Sequence, residues 1–205
     1  MNKKTLCIAT RNTNKVREMA PALAPFWEVK YSADYPEMEG RDEIEETGDT
    51  FLANATLKAV ATSQIISDYV LADDSGLECD ALNGAPGVFS ARYGGIPSSV
   101  EKNNTKLLQE LERVGALTPQ QRSARFRCVL VLAKEGNVLA GFDGACEGTI
   151  APAPKGTHGF GYDPLFIPQG YARTFGQLTD KTKLNLSHRG LALKQFTQWC
   201  KANPM

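Results

Sequence analysis

Between Thr5 and Ala72 the apolar positions follow two spacings. "TLCIAT" (Thr5–Thr10) is a short unbroken apolar run, as in a buried strand, and "NTNKVREMAPAL" after it has helical spacing until Pro21, where the helix is expected to be interrupted. "FWEVKYS" reads as a second strand and "TFLANATLKAVATSQII" (Thr50–Ile66) as an amphipathic helix. Between them the acidic "EMEGRDEIEETGD" is a loop. "YVLA" is a third strand, expected to stop at the paired acids of "ADDSGLECD".

The centre of the chain is different. "LNGAPGVFSARYGGIPSS" holds six Gly and Pro residues, too many for a regular element. A helix is expected over Ser98–Val114. "ARFRCVLVLAKEGNVLAGFDGACEG" predicts a long hairpin turning at Glu135–Gly136–Asn137, "PLFIP" another strand, and "HRGLALKQFTQW" a closing helix. A βαβ beginning with a later hairpin implies an α/β fold built on a mixed sheet. No repeat or composition shift divides the chain, so residues 1–205 are expected to form one domain, which the loop-rich centre allows to split into two lobes with a cleft.

Composition narrows the function by exclusion. The 205 residues are 42% hydrophobic and 22% charged, ordinary for a folded soluble protein. Lys+Arg and Asp+Glu are both 23, so nothing global selects a nucleic acid or membrane partner. No apolar run reaches the roughly 20 residues of a membrane span. The five scattered cysteines contain no CxxC pair, which favours reduced thiols in the cytoplasm over a zinc site.

Five stretches carry candidate chemistry. "TRNTNK" (Thr10, Arg11, Asn12, Thr13, Asn14, Lys15) joins a strand to a helix, where free N–H groups and the helix dipole attract phosphate; a plain N-cap with an exposed lysine is the simpler alternative. In "EIEETGDTF" (Glu43–Phe51), Asp49 can cap the next helix, on which Thr50, Asn54 and Lys58 share a face expected to be solvated. Asp73 and Asp74, with Glu45 or Glu46, suit Mg²⁺, or else form a polar turn. In "GTHGFGYDPLF" the glycines around Phe160 expose its ring for base stacking, with Asp163 as an acceptor. "LSHRG" puts His188 and Arg189 at a helix start, where Ser187 can serve as the cap.

Taken in order, "TRNTNK", "ETGDTFLANATLKA", "ADDSGLECDALNGAPGVFSARY", "GFGYDPLF" and "SHRG" resemble the bacterial dITP/XTP pyrophosphatases, relatives of inosine triphosphatase. The resemblance runs from Thr10 to Arg189. It implies a two-lobed, mixed-sheet inosine-triphosphatase-like fold with a central active-site cleft. It also implies a homodimer, and Mg²⁺-dependent cleavage of purine nucleoside triphosphates such as dITP, ITP and XTP to monophosphate and pyrophosphate. By position, Thr10 through Lys15 would hold the triphosphate and Lys58 would face it. Glu46 and Asp74 would be the metal acids, with Asp74 the base and Ser75 touching substrate. Phe160, Gly161, Tyr162, Asp163, Lys183, His188 and Arg189 would hold the nucleoside, Arg189 donating to the base edge. One departure is Ala53, where the family usually has Glu. A pyrophosphatase for other nucleotides and a non-catalytic nucleotide-binding module are the competing classes.

Overall fold

The computed structural model describes residues 3–41 and 44–203, so Asp42 and Glu43 of the acidic loop lie outside the described residues. Six strands form one sheet in the order β2-β1-β3-β4-β5-β6. They are β1 (Thr5–Ile8), β2 (Glu28–Tyr31), β3 (Tyr69–Cys79), β4 (Ser123–Lys134), β5 (Asn137–Ile150) and β6 (Phe166–Pro168). β1 pairs in parallel with both β2 and β3, whereas β5 and β6 are antiparallel. The sheet is therefore mixed, as the hairpin and βαβ patterns imply.

The helices are α1 (Thr13–Leu23), α2 (Phe51–Ser63), α3 (Val100–Arg113), α4 (Asp180–Leu186) and α5 (His188–Ala202). Three expectations change here. Pro21 does not stop α1, because it sits exposed in the last turn, where only one backbone bond is lost. α2 is capped by Thr50, whose side chain accepts from the Ala53 N–H, and not by Asp49. α4 had no apolar periodicity to announce it; the Thr179 cap, accepting from Thr182 N–H, starts it.

The largest change concerns the paired acids. β3 does not end before Asp73 but runs five residues beyond Asp74, to Cys79. Leu77 and Cys79 are both 0% exposed with Glu78 between them, a strand alternation that the acid pair conceals. The last β3 partner on β1 is Leu71, opposite Ile8. Asp73 and Asp74 thus follow the carboxyl end of the parallel pairing, on a strand that continues.

The chain forms two compact units. The first comprises residues 1–74, 128–144 and 189–205, the second residues 75–127 and 145–188. In the first, Phe196 of α5 lies parallel to Trp27 at 6.3 Å and edge-on to Phe142 at 5.4 Å, and Leu6, Ile8, Met19 and Leu71 of the same unit are fully buried. In the second, Phe126, Phe166 and Phe175 pack on Leu77, Leu107, Leu111 and Leu165, with the Phe126 and Phe166 rings 4.7 Å apart. β4 and β5 meet at Glu135 and Gly136, both at positive φ, a conformation matching the two-residue turns of hairpins.

This packing makes a stability prediction. Phe196→Ala removes a ring that is 0% exposed and is expected to cost about 3–5 kcal/mol in chemical unfolding. Leu117→Ala, at a side chain 71% exposed, is expected to stay within about 0.5 kcal/mol of wild type. Equal midpoints for the two variants would contradict the core assigned to α5.

Candidate active site

Successive strand residues point to opposite faces, so two adjacent acids on β3 enter two different environments. Asp73 is 1% exposed. Its Oδ1 lies 3.0 Å from Lys15 Nζ of α1, and its Oδ2 accepts from Arg189 Nη2 at 3.1 Å and Nε at 3.3 Å. Burial pushes this carboxyl up, but Lys15, Arg189 and Lys58 outweigh it and hold it well below the usual carboxylate range. Arg189 is itself buried; its Nη1 donates to Glu18 at 2.5 Å, and these acids keep it charged against the pull of burial.

Asp74 meets α2 instead. Its Oδ2 accepts from Asn54 Nδ2 at 3.1 Å, and its Oδ1 lies 3.8 Å from Lys58 Nζ. Lys58 also donates to Glu46 Oε1 at 2.5 Å and to the Asp73 carbonyl at 2.6 Å. Burial raises the Asp74 carboxyl above the ordinary range; Lys58 opposes the shift and Glu46 adds to it. Lys58 is held charged, because Asp73, Asp74 and Glu46 overcome the desolvation that disfavours its ammonium. Of the α2 face read as solvated, Thr50 is exposed but Asn54 is 0% exposed and Lys58 is partly buried, while Leu52 and Leu57 of the same helix are exposed.

Within Thr10–Lys15, Asn12 caps α1 by accepting from the Asn14 and Lys15 N–H groups, and Thr10 Oγ1 accepts from Asn12 N–H. Arg11, Asn12 and Thr13 are exposed, and Arg11 donates to the Arg41 carbonyl. The cap is real, and Lys15 at its end is committed to Asp73.

The second unit holds the other cluster. Asp163 is 2% exposed, and its Oδ2 accepts from Phe160 N–H at 2.7 Å and Lys183 Nζ at 2.5 Å. The loop can wrap this carboxylate because residue 159 is glycine at φ +74; a Cβ there would lie 2.0 Å from Asp163 Oδ2. The Lys183 ammonium sits 4.8 Å from the centroid of the partly exposed Phe160 ring. Tyr162 donates to the Ser90 carbonyl, Gly161 O accepts from Asn104 Nδ2, and His188 lies nearly parallel to Phe126 at 4.7 Å. Ser75 is partly buried on β3.

A profile of the Ham1 family matches residues 6–199. The chain belongs to the Ham1 family. It is 47% identical over 192 residues to a dITP/XTP pyrophosphatase of Desulforamulus reducens, covering 93% of this chain and 92% of that protein. It is 46% identical over 197 residues to one of Halalkalibacterium halodurans, covering 96% and 98%. Among solved structures, a HAM1 protein from Coxiella burnetii superposes with a TM-score of 0.85 at 37% identity, over 97% of this chain and 99% of that one. The Staphylococcus aureus Ham1 protein gives 0.84 at 36%, with the same coverage.

Within this Ham1 chain many of the side chains named from the sequence fall into three groups. Lys15, Glu46, Lys58, Asp73 and Asp74 come together in the first unit. Phe160, Asp163 and Lys183 come together in the second. The third group is buried. Arg189 is not an open donor for a base edge, because three of its nitrogens donate to carboxylates. Tyr162 is a core side chain, 4% exposed. Glu18, Asn54 and Asn104 complete these clusters. Only Asn54 had left a trace in the sequence, its four-residue spacing from Lys58.

Among the described residues no three His, Cys, Asp or Glu side chains form a ready-made metal site. Glu46 and Asp74 nevertheless fit a cation, since both already flank the Lys58 ammonium and Glu46 raises the pKa of Asp74. Two carboxylates suffice for Mg²⁺ when substrate phosphates and water complete its shell.

The corrected role of Arg189 is testable. Arg189→Met leaves Asp73 and Glu18 without their guanidinium and is expected to lower unfolding stability by about 3–5 kcal/mol. An unchanged unfolding midpoint would return Arg189 to the substrate.

Proposed function

We propose that the chain hydrolyses dITP, ITP and XTP to the corresponding monophosphate and pyrophosphate, with Mg²⁺ as cofactor. Membership of the Ham1 family and the full-length likeness to dITP/XTP pyrophosphatases give the class: a nucleoside-triphosphate pyrophosphatase. The observation that carries the chemistry is Asp74, a buried acid with raised pKa whose two oxygens face an amide and an ammonium.

In this reading Asp74 takes a proton from the attacking water. The water oxygen adds to phosphorus, the phosphoanhydride between the α- and β-phosphoryl groups breaks, and its electron pair leaves with pyrophosphate. Lys58, held charged by three acids, offsets phosphate charge, and Thr10 through Lys15, with Arg11, Asn12 and Thr13 exposed at the positive end of α1, meet the triphosphate. Mg²⁺, held by Glu46 and Asp74, would neutralise phosphate oxygens and charge developing in the transition state. Phe160 supplies a stacking surface for the base, with His188 and Lys183 at the nucleoside end. Ser75 contacts the substrate beside Asp74. Asp73 serves by keeping Lys15 and Arg189 in place.

Two finer features belong to the same reading. The protein works as a cytoplasmic homodimer, and the exposed Phe89, Ile96 and Val100 offer apolar surface for a second copy; no helix among the described residues is long and apolar enough to cross a membrane. Base choice rests on position 6, where hypoxanthine and xanthine carry an oxygen and adenine an amino group. Backbone N–H donors at the start of α5 would accept the first two and meet adenine donor to donor, worth about 1–3 kcal/mol.

A panel of dITP, ITP, XTP, ATP and GTP with Mg²⁺, read by pyrophosphate release, tests the reading. At least about ten-fold higher kcat/KM for ITP than for ATP is expected from that penalty. Equal rates on ATP and ITP would favour a general nucleotide pyrophosphatase instead. Ala53→Glu, which restores the usual family acid, is expected to lower the Mg²⁺ concentration for half-maximal rate. An unchanged titration would remove position 53 from the metal site.

A further inference from the structure

We propose that Asn54 is a positioning residue for the reaction, its amide locking Asp74 and the loop bearing Glu46 into one arrangement. The inference rests on Asp74 and Glu46 having the roles just proposed. Asn54 is 0% exposed on α2. Its Nδ2 donates to Asp74 Oδ2 at 3.1 Å, and its Oδ1 accepts from Gly48 N–H at 2.8 Å. From Gly48 the chain runs back two residues to Glu46, which holds Lys58 at 2.5 Å, and Lys58 lies 3.8 Å from the other oxygen of Asp74. The ring is closed: Asn54, Asp74, Lys58, Glu46, the backbone through Thr47 to Gly48, and Asn54 again.

Each link has one chemical solution. Gly48 N–H is a donor and needs an acceptor, which fixes Oδ1 toward the loop. Nδ2 is then left for the carboxylate, which can only accept when ionised. A reversed amide would oppose donor to donor and acceptor to acceptor. The close approach also depends on residue 48 being glycine, since a Cβ there would lie 2.7 Å from both Asn54 Oδ1 and Ala53 Cβ. With one Asp74 oxygen held by Asn54, the other faces Lys58. Asn54 and Lys58 come from one face of one helix, four residues apart, so the helix sets their separation.

The Asn54 amide therefore does for the acid pair what no charged residue in that position could do. A carboxylate would repel Asp74, and a lysine would lose the Gly48 link. Its contribution is geometric, and displacement of a reacting group by about 1 Å costs on the order of 10²-fold in rate.

The test compares kcat and KM for dITP in Asn54→Asp, Asn54→Ala, Gly48→Ala and Asp74→Asn with wild type, alongside thermal unfolding of each. Asn54→Asp is nearly isosteric and keeps the acceptor for Gly48 but sets a like charge against Asp74, whereas Asn54→Ala removes both links without adding charge. Gly48→Ala leaves the side chains of Asn54, Asp74 and Glu46 chemically unchanged and crowds the loop against Asn54 Oδ1 and Ala53 Cβ of α2. Expected are kcat losses of about 10²-fold in Asn54→Asp, Asn54→Ala and Gly48→Ala with KM changing less than about three-fold, in proteins that still unfold cooperatively. A purely structural role would instead lower the unfolding midpoint and leave kcat of the folded fraction unchanged. Asn54→Asp and Gly48→Ala turning over within three-fold of wild type, with Asp74→Asn inactive, overturn the positioning role alone. An active Asp74→Asn overturns the underlying reading, and the positioning role with it.

Discussion

The first compact unit depends on a carboxylate that water cannot reach. Asp73 is buried on β3 and stays ionised only because Lys15 and Arg189 lie against its two oxygens. An uncompensated charge in that place would cost several kcal/mol, so both cations must arrive together with the acid. That requirement ties α1, β3 and α5 to one point. Glu18 then balances Arg189, and Lys58 reaches the Asp73 carbonyl while its charge serves Asp74 and Glu46. Charge balance at Asp73 thus decides where the remaining polar groups of this unit go.

The neighbouring acid is free of that duty. Since β3 turns successive side chains to opposite faces, Asp74 gains an amide and a more distant ammonium where Asp73 has two close cations. Burial shifts both carboxyls upward, but only at Asp73 do cations reverse it. Two identical residues side by side come to opposite electrostatic states, one a fixed charge and one suited to exchange a proton. Elsewhere the same economy appears at Asp163, which orders its own loop through Phe160 N–H and pairs with Lys183 beneath the Phe160 ring.

Much of this was legible in the sequence where local rules apply. Apolar runs and turn residues located the strands, the hairpin and four of the helices, and the order of the short motifs pointed to the Ham1 family. What failed did so for physical reasons. The acid pair hid the continuation of β3, because polarity in a strand reads as its end. On α2 Asn54 and Lys58 turn inward beside the buried Phe51, Ala55 and Ala59 while Leu52 and Leu57 face solvent, so amphipathic reasoning inverted the placement of these two pairs. That inversion is itself a signal, since local patterning is broken where a site requires it. Arg189 was assigned to substrate from the resemblance of "SHRG" to the family motif; its partners Asp73 and Glu18 are distant in sequence, and no spacing rule connects them.

The central claim is the division of labour between two adjacent acids. Asp73→Asn and Asp74→Asn, compared for unfolding free energy and for kcat on dITP, test it most directly. The account predicts that Asp73→Asn loses about 3–5 kcal/mol of stability, because Lys15 and Arg189 are left without their counter-charge. It predicts that Asp74→Asn unfolds close to wild type but loses about 10²–10⁴-fold in kcat. A stable Asp73→Asn, or an Asp74→Asn that turns over within a few-fold of wild type, would contradict it.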